Sequence, residues 1–199
     1  MKFLTTETLE ALYGDPGEAA LVKVADRLTP TYRAWIMTSR FCVLTTVGPE
    51  GTDATPRGDD GPAVLELDPK TLALPDWRGN MRIDSLRNIV RDGRVSLMFM
   101  VPGSNNVVRV NGEGRVTADA DLCARFEKGG AQPRTVTVIR IHEVYSQCAR
   151  AVMRAGLWSR DDSAGLPSVG DMLREMTSGD FDGESYDQDW AIRAAKTMW

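Results

Sequence analysis

The chain has 199 residues, 42% of them hydrophobic and 26% charged, which suits one globular domain of ordinary size, with or without helical extensions. Its formal net charge of -4 argues against a general nucleic-acid binder. No apolar run approaches the roughly 18 residues of a membrane span, and residues 1–10 lack the basic and apolar regions of a secretion signal, so a cytoplasmic protein is expected.

In chain order, residues 17–28 place Ala20, Leu21, Val24 and Leu28 on one helical face. Thr29 then caps a second helix that starts at Pro30 and runs through Tyr32, Trp35 and Ile36. Residues 1–40 are thus expected to form a helical hairpin packed on something larger. From Phe41 the texture turns to strand. FCVLTTV leads through the Gly48-Pro49-Glu50-Gly51 turn into residues 52–57, and AVLELD and TLALPD follow as shorter strands. A helix whose apolar residues are Met81, Ile83, Leu86 and Ile89 is expected over 81–91, stopped by Asp92-Gly93, before the strands RVSLMFMV and VVRVNGEGRV. A short helix over 119–128 precedes the long strand TVTVIRIHEVYS. About seven strands joined mostly by tight turns read as a mainly β fold, a closed antiparallel barrel with helical additions. Beyond it come a helix over 147–155, a loop, a helix from PSVGDMLREM, the flexible acidic link GDFDGES, and a terminal amphipathic helix with Trp190, Ile192 and Met198. Trp199 is expected to dock on a partner subunit or fray.

Cys42, Cys123 and Cys148 are widely spaced and form no Cys-x-x-Cys pair, so neither a disulfide framework nor a zinc site is suggested, and all three read as buried small hydrophobes. His142 is the only histidine, which leaves no multi-histidine metal site and disfavours a Ser-His-Asp triad. Any catalysis is therefore expected to draw on a bound cofactor.

The most informative stretch is residues 52–89. Arg57 ends a short strand before a Gly-Asp-Asp-Gly-Pro turn, while Arg82 and Ser85 lie at the start of a helix. A helix start offers unpaired N–H groups and partial positive charge, and an arginine on a neighbouring strand can add a bidentate contact to the same phosphate. The same residues also suit a solvated turn, with Arg82 paired to Asp84 or Asp76 on the surface.

The order of these elements resembles the pyridoxamine 5'-phosphate oxidase-like family of FMN-binding split β-barrels. The resemblance covers about residues 41–158 and rests on the strand ending in Arg57, the hairpin ending in LPDWRGNMR, the helix carrying Ser85, and the strands RVSLMF and VVRVNGEGRV. The following EVYSQCARAVMRAGLW is similar to a branch described only as probable FMN-dependent enzymes. The resemblance implies a homodimer with FMN at its interface, the phosphate held by Arg57, Arg82 and Ser85. The flavin ring would lie against the backbone around Gly58 and at Pro75 and Asp76. A family glutamine aligns with Val107, leaving Asn105 or Asn106 to replace it, and a family tryptophan aligns with Tyr145. Gln147 would face the pocket, and Arg150 and Arg154, which share a helical face, would approach the flavin edge or an anionic substrate.

DLCARFEKGG lacks the spaced tyrosine, arginine and serine that hold the vitamin phosphate in the oxidase itself, and the family's arginine-and-histidine C-terminal signature is missing. The resemblance therefore implies FMN without pyridoxamine phosphate oxidation. The function expected is an FMN-dependent oxidoreductase acting on an unidentified small substrate, built from the 1–40 hairpin, a 41–158 barrel domain and a 159–199 helical extension. The alternatives are a non-catalytic flavin or small-ligand carrier or sensor, and a related barrel using a deazaflavin.

Overall fold

The computed structural model describes residues 1–198, and the reading made for Trp199 lies outside the described residues. Seven strands form one antiparallel sheet: β1 (Phe41–Gly48), β2 (Gly51–Gly58), β3 (Leu65–Asp68), β4 (Thr71–Asp76), β5 (Arg94–Met100), β6 (Val107–Thr117) and β7 (Thr135–Gln147). Their spatial order is β2-β1-β5-β6-β7-β4-β3. The sheet therefore has two ends, at β2 and β3, where full closure would have paired them. It is a split barrel, and the seam falls beside the residues singled out above. Pro56 lies within β2, opposite Val43, and can donate nothing to a further strand.

Alternation along the strands builds the core. Cys42, Leu44 and Thr46 of β1 point inward, as do Val95, Leu97 and Phe99 of β5, while their neighbours are half-buried or exposed. Leu72, Val110, Ile139 and Val144 complete the same cluster. In β6 the register shifts between Asn111 and Gly112. A Cβ on Gly112 would lie 2.0 Å from the Arg140 carbonyl oxygen, so this close strand approach requires glycine.

Three helices precede the sheet: α1 (Thr6–Tyr13), α2 (Glu18–Val22) and α3 (Pro30–Ile36). The helix expected over 17–28 stops at Val22. Ala25 instead exchanges backbone hydrogen bonds with Val144, at 3.0 and 2.7 Å, and Leu21 and Val24 stay exposed. Sheet pairing takes the backbone groups that a longer helix would need. Thr29 caps α3 as expected, accepting from the Tyr32 N–H. Arg33 grips Glu66 of β3 with two hydrogen bonds, of 2.6 and 2.5 Å. That contact holds the Glu66 carboxyl below its usual range.

After β4 comes α4 (Asp84–Arg91), and α5 (Ala120–Ala124) joins β6 to β7. The C-terminal part contains α6 (Arg150–Ala155), α7 (Val169–Met176), α8 (Gly183–Gln188) and α9 (Trp190–Thr197). The stretch read as a flexible acidic link enters a helix, because the Asp182 side chain accepts the Ser185 N–H at 3.0 Å and caps α8. Cys42 and Cys123 are buried, whereas Cys148, read as buried, is exposed just past the end of β7. No helix among the described residues is long and apolar enough to cross a membrane.

Candidate functional site

The docking of α4 positions the site. Its inward face is polar, with Ser85 and Asn88 buried beside Ile89, whereas the sequence pattern had pointed to Met81, Ile83, Leu86 and Ile89. Met81 and Ile83 precede the helix and are exposed, with left-handed backbone (φ 59° and 53°). Such a conformation is a steric outlier for a β-branched residue. Asn88 donates to Thr46 Oγ1 at 3.1 Å and fills the space beside Gly48, where a Cβ would lie 2.0 Å from its Oδ1. A larger residue at the end of β1 would displace the Asn88 amide from this place.

Because Ile83 is the residue before the helix, no side chain caps α4. Among the described residues, the backbone N–H groups of Asp84, Ser85 and Leu86 make no hydrogen bond. These donors and the helix dipole leave a positive end. Beside it stands Arg57, whose Nη1 donates to Asp76 Oδ1 at 2.6 Å and whose Nη2 reaches Ser85 Oγ at 3.4 Å. The Arg57 Nε is buried and has no partner among the described residues. An unmet donor on a charged group is costly to bury, and an anion would satisfy it.

These groups open on a cavity of about 650 Å³ between the ends of β2 and β4 and the loop leading into α4. Arg57, Gly58, Pro75, Asp76, Arg82 and Ser85 all line it. Arg82 lies two residues before α4 and donates to Asp84 Oδ2 at 2.9 Å, on a largely exposed side chain. Both readings of Arg82 thus meet in one place: it faces the cavity and carries a surface ion pair.

The cavity also takes in Trp77, Arg134 and Met198. Trp77 is held by its indole N–H, which donates to Asp59 Oδ2 at 2.9 Å. Asp59 accepts in addition from Lys128 and from the Gly61 N–H, and Lys128 bonds Asp60 as well. Burial pushes the Asp59 carboxyl upward, but the donors from Lys128, Gly61 and Trp77 outweigh it and hold the group below its usual range. Sequence reasoning missed this knot, since nothing local links positions 59, 77 and 128.

Asn106, Tyr145, Gln147, Arg150 and Arg154 do not line the cavity. Val107, next to Asn106, pairs with Gln147 across β6 and β7, and Tyr145 lies opposite Arg109. The Tyr145 ring has Lys23 at 5.8 Å and Arg109 at 5.4 Å from its centroid. Arg150 and Arg154 are exposed on α6. The cavity meets β7 near Thr135, which pairs with Asp76, and Gln147 is the far end of that strand. Along β7 those two ends are about 40 Å apart at a strand rise of about 3.3 Å per residue, but the ladder also runs from Gly58 through Phe41, Met100 and Val107 to Gln147, four strand spacings of about 4.8 Å. Among the described residues no group of three or more His, Cys, Asp or Glu side chains could hold a metal ion.

An antiparallel barrel split beside a cationic cavity is the class that fold and site define. The sequence profile of the pyridoxamine 5'-phosphate oxidase family matches residues 28–148, more than half of the chain, and the chain belongs to that family. No curated protein matches it in sequence. Among solved structures it is similar to HupZ of Group A Streptococcus, at 18% identity over 60% of this chain and 93% of that one, with a TM-score of 0.48. General stress protein 26 from Bacillus anthracis is similar at 15% identity over 57% and 88% of the two chains, with a TM-score of 0.45. An FMN-binding protein from Syntrophomonas wolfei is similar at 12% identity over 58% and 80%, with a TM-score of 0.43.

Proposed function

We propose that this chain is a cytoplasmic, homodimeric, FMN-dependent oxidoreductase acting on a small substrate. The observation that carries the reading is the unpartnered Arg57 Nε beside Ser85 and the uncapped first turn of α4. A phosphate monoester, with nearly two negative charges at neutral pH, complements that set of donors. Arg57, Ser85 and the α4 N–H groups would hold the phosphate, and Arg82 would exchange Asp84 for it. Gly58, Pro75 and Asp76 would border the ring system, with Trp77 as a rigid apolar wall. When bound, FMN supplies the atom that accepts or donates hydride. The protein's own part is to hold and orient the cofactor and keep water from its charged end.

Asn106, Tyr145, Gln147, Arg150 and Arg154 do not line the cavity of their own chain. A second copy could bring them there, which is why the reading includes a dimer.

The titratable side chains lining the cavity among the described residues are aspartates and arginines alone. That favours a second reading, a flavin-binding carrier or sensor without turnover, because no histidine, lysine, cysteine or tyrosine stands among them. The absorbance spectrum and an FMN titration test the binding they share. Protein that is colourless and does not take up FMN overturns both. Competitive titration with a deazaflavin decides which flavin is preferred, and screening of photoreduced protein against electron acceptors separates enzyme from carrier.

A further inference from the structure

The residue that ends the C-terminal helix reaches the cavity from outside the part of the chain that matches the family. That match ends at residue 148, yet Met198, which follows α9, lines the same cavity as Arg57 and Ser85. α9 is attached mainly to α8, where Arg193 donates to the Tyr186 carbonyl at 2.7 Å and stacks its guanidinium 4.3 Å from the Tyr186 ring centroid. Met198 remains 57% exposed. Met81 and Ile83, in the left-handed loop before α4, are 64% and 46% exposed on the same cavity. A polar interior is thus bordered by three apolar side chains, one of them from the far end of the chain.

We infer that α9, anchored on α8, is a strap that holds Met198 at the mouth of this cavity, and that Met198 closes on Met81 and Ile83 to retain a phosphate-bearing ligand. This rests on the phosphate-binding reading above. The chemistry favours apolar cover over charge. The C-terminal end of a helix is its negative end, so the last turn of α9 does not attract a dianion, and Lys196 there offsets that end. A thioether can fill an irregular gap, and shutting out water strengthens every ion pair beneath it. The strap requires no change in the phosphate donors themselves. It acts on how long the ligand stays.

The test uses the full chain with Met198→Glu, Met198→Ala and the conservative Met198→Leu. Hydrogen exchange over residues 77–86, measured without ligand, asks whether α9 covers the loop. Several-fold faster exchange in Met198→Glu with wild-type rates in Met198→Leu is expected, and equal rates in all variants overturn the strap. Release of FMN after dilution, followed by the return of flavin fluorescence, asks whether the cover retains ligand. Release about tenfold faster in Met198→Glu and Met198→Ala, rescued by Met198→Leu, is expected. Equal release rates overturn the retaining role. If wild-type protein takes up no FMN, the flavin reading fails, and the exchange measurement alone decides the strap.

Discussion

Arg57 Nη1 lies 2.6 Å from Asp76 Oδ1, so the guanidinium that faces the cavity is charge-paired before any ligand arrives. The carboxylate orients the arginine and, on the proposed reading, would also compete with an incoming phosphate. Arg57→Ala is expected to weaken FMN binding about 100-fold, the loss of one or two charge-assisted hydrogen bonds. Asp76→Asn removes the competitor and should tighten inorganic phosphate several-fold. Calorimetric titration of both variants checks the pair of outcomes.

Asn88 is expected to matter more for stability than an ordinary helix residue. Its amide bonds Thr46 and occupies the space over Gly48. Asn88→Ala should cost about 1–3 kcal/mol by leaving the buried Thr46 hydroxyl unmet. Gly48→Ala should cost at least as much by pushing α4 off β1, and FMN affinity should fall with it. Thermal unfolding and the flavin titration, run on the same samples, check this.

Two carboxylates predict the acid limb of the stability curve. Glu66 is held below its ordinary value of 4.5 by Arg33, and Asp59 below 3.8 by its donors despite burial. A depressed carboxyl stabilises the fold above the unfolded value, and that contribution is lost as pH falls through the folded value. Tm should therefore stay nearly level from neutral pH to about pH 5 and drop below about pH 4. In Glu66→Gln the fall should be shallower, with a lower Tm at neutral pH.

Alkylation of the native protein should modify one cysteine. Cys148 is exposed, while Cys42 and Cys123 are buried. Burial pushes the Cys42 thiol up to about 12, against a smaller opposing pull from Arg57 across the β1–β2 ladder. Mass spectrometry after iodoacetamide near neutral pH should find the label on Cys148, with Cys42 reacting only after denaturation.

The strands and the hairpins were legible from alternation and turn residues. β1, β4 and β5 fall within a residue or so of their sequence limits, because Gly48-Pro49-Glu50-Gly51 and Asp92-Gly93 admit few other conformations. The helix before Thr29 was misjudged because the Ala25–Val144 bridge is a long-range pairing that local periodicity cannot register. The face of α4 was misjudged for a different reason. Its buried residues answer to Thr46 and Gly48 on another strand, so a polar stripe packs inward. Arg57, Arg82 and Ser85 were singled out together because a strand end and a helix start lie close in sequence, and they line one cavity. The support of Trp77 by Asp59 and Lys128 and the contributions of Arg134 and Met198 carry no local signature.

Pro56, at the outermost strand, has a consequence beyond the ligand. A sheet left open on one side invites another chain to add its own strand and extend the array without limit. With no amide proton at that position the hydrogen-bond ladder for such growth is interrupted, and Asp53 adds charge on the same margin. The gap between the two ends of the sheet can therefore persist in a concentrated solution without seeding fibres.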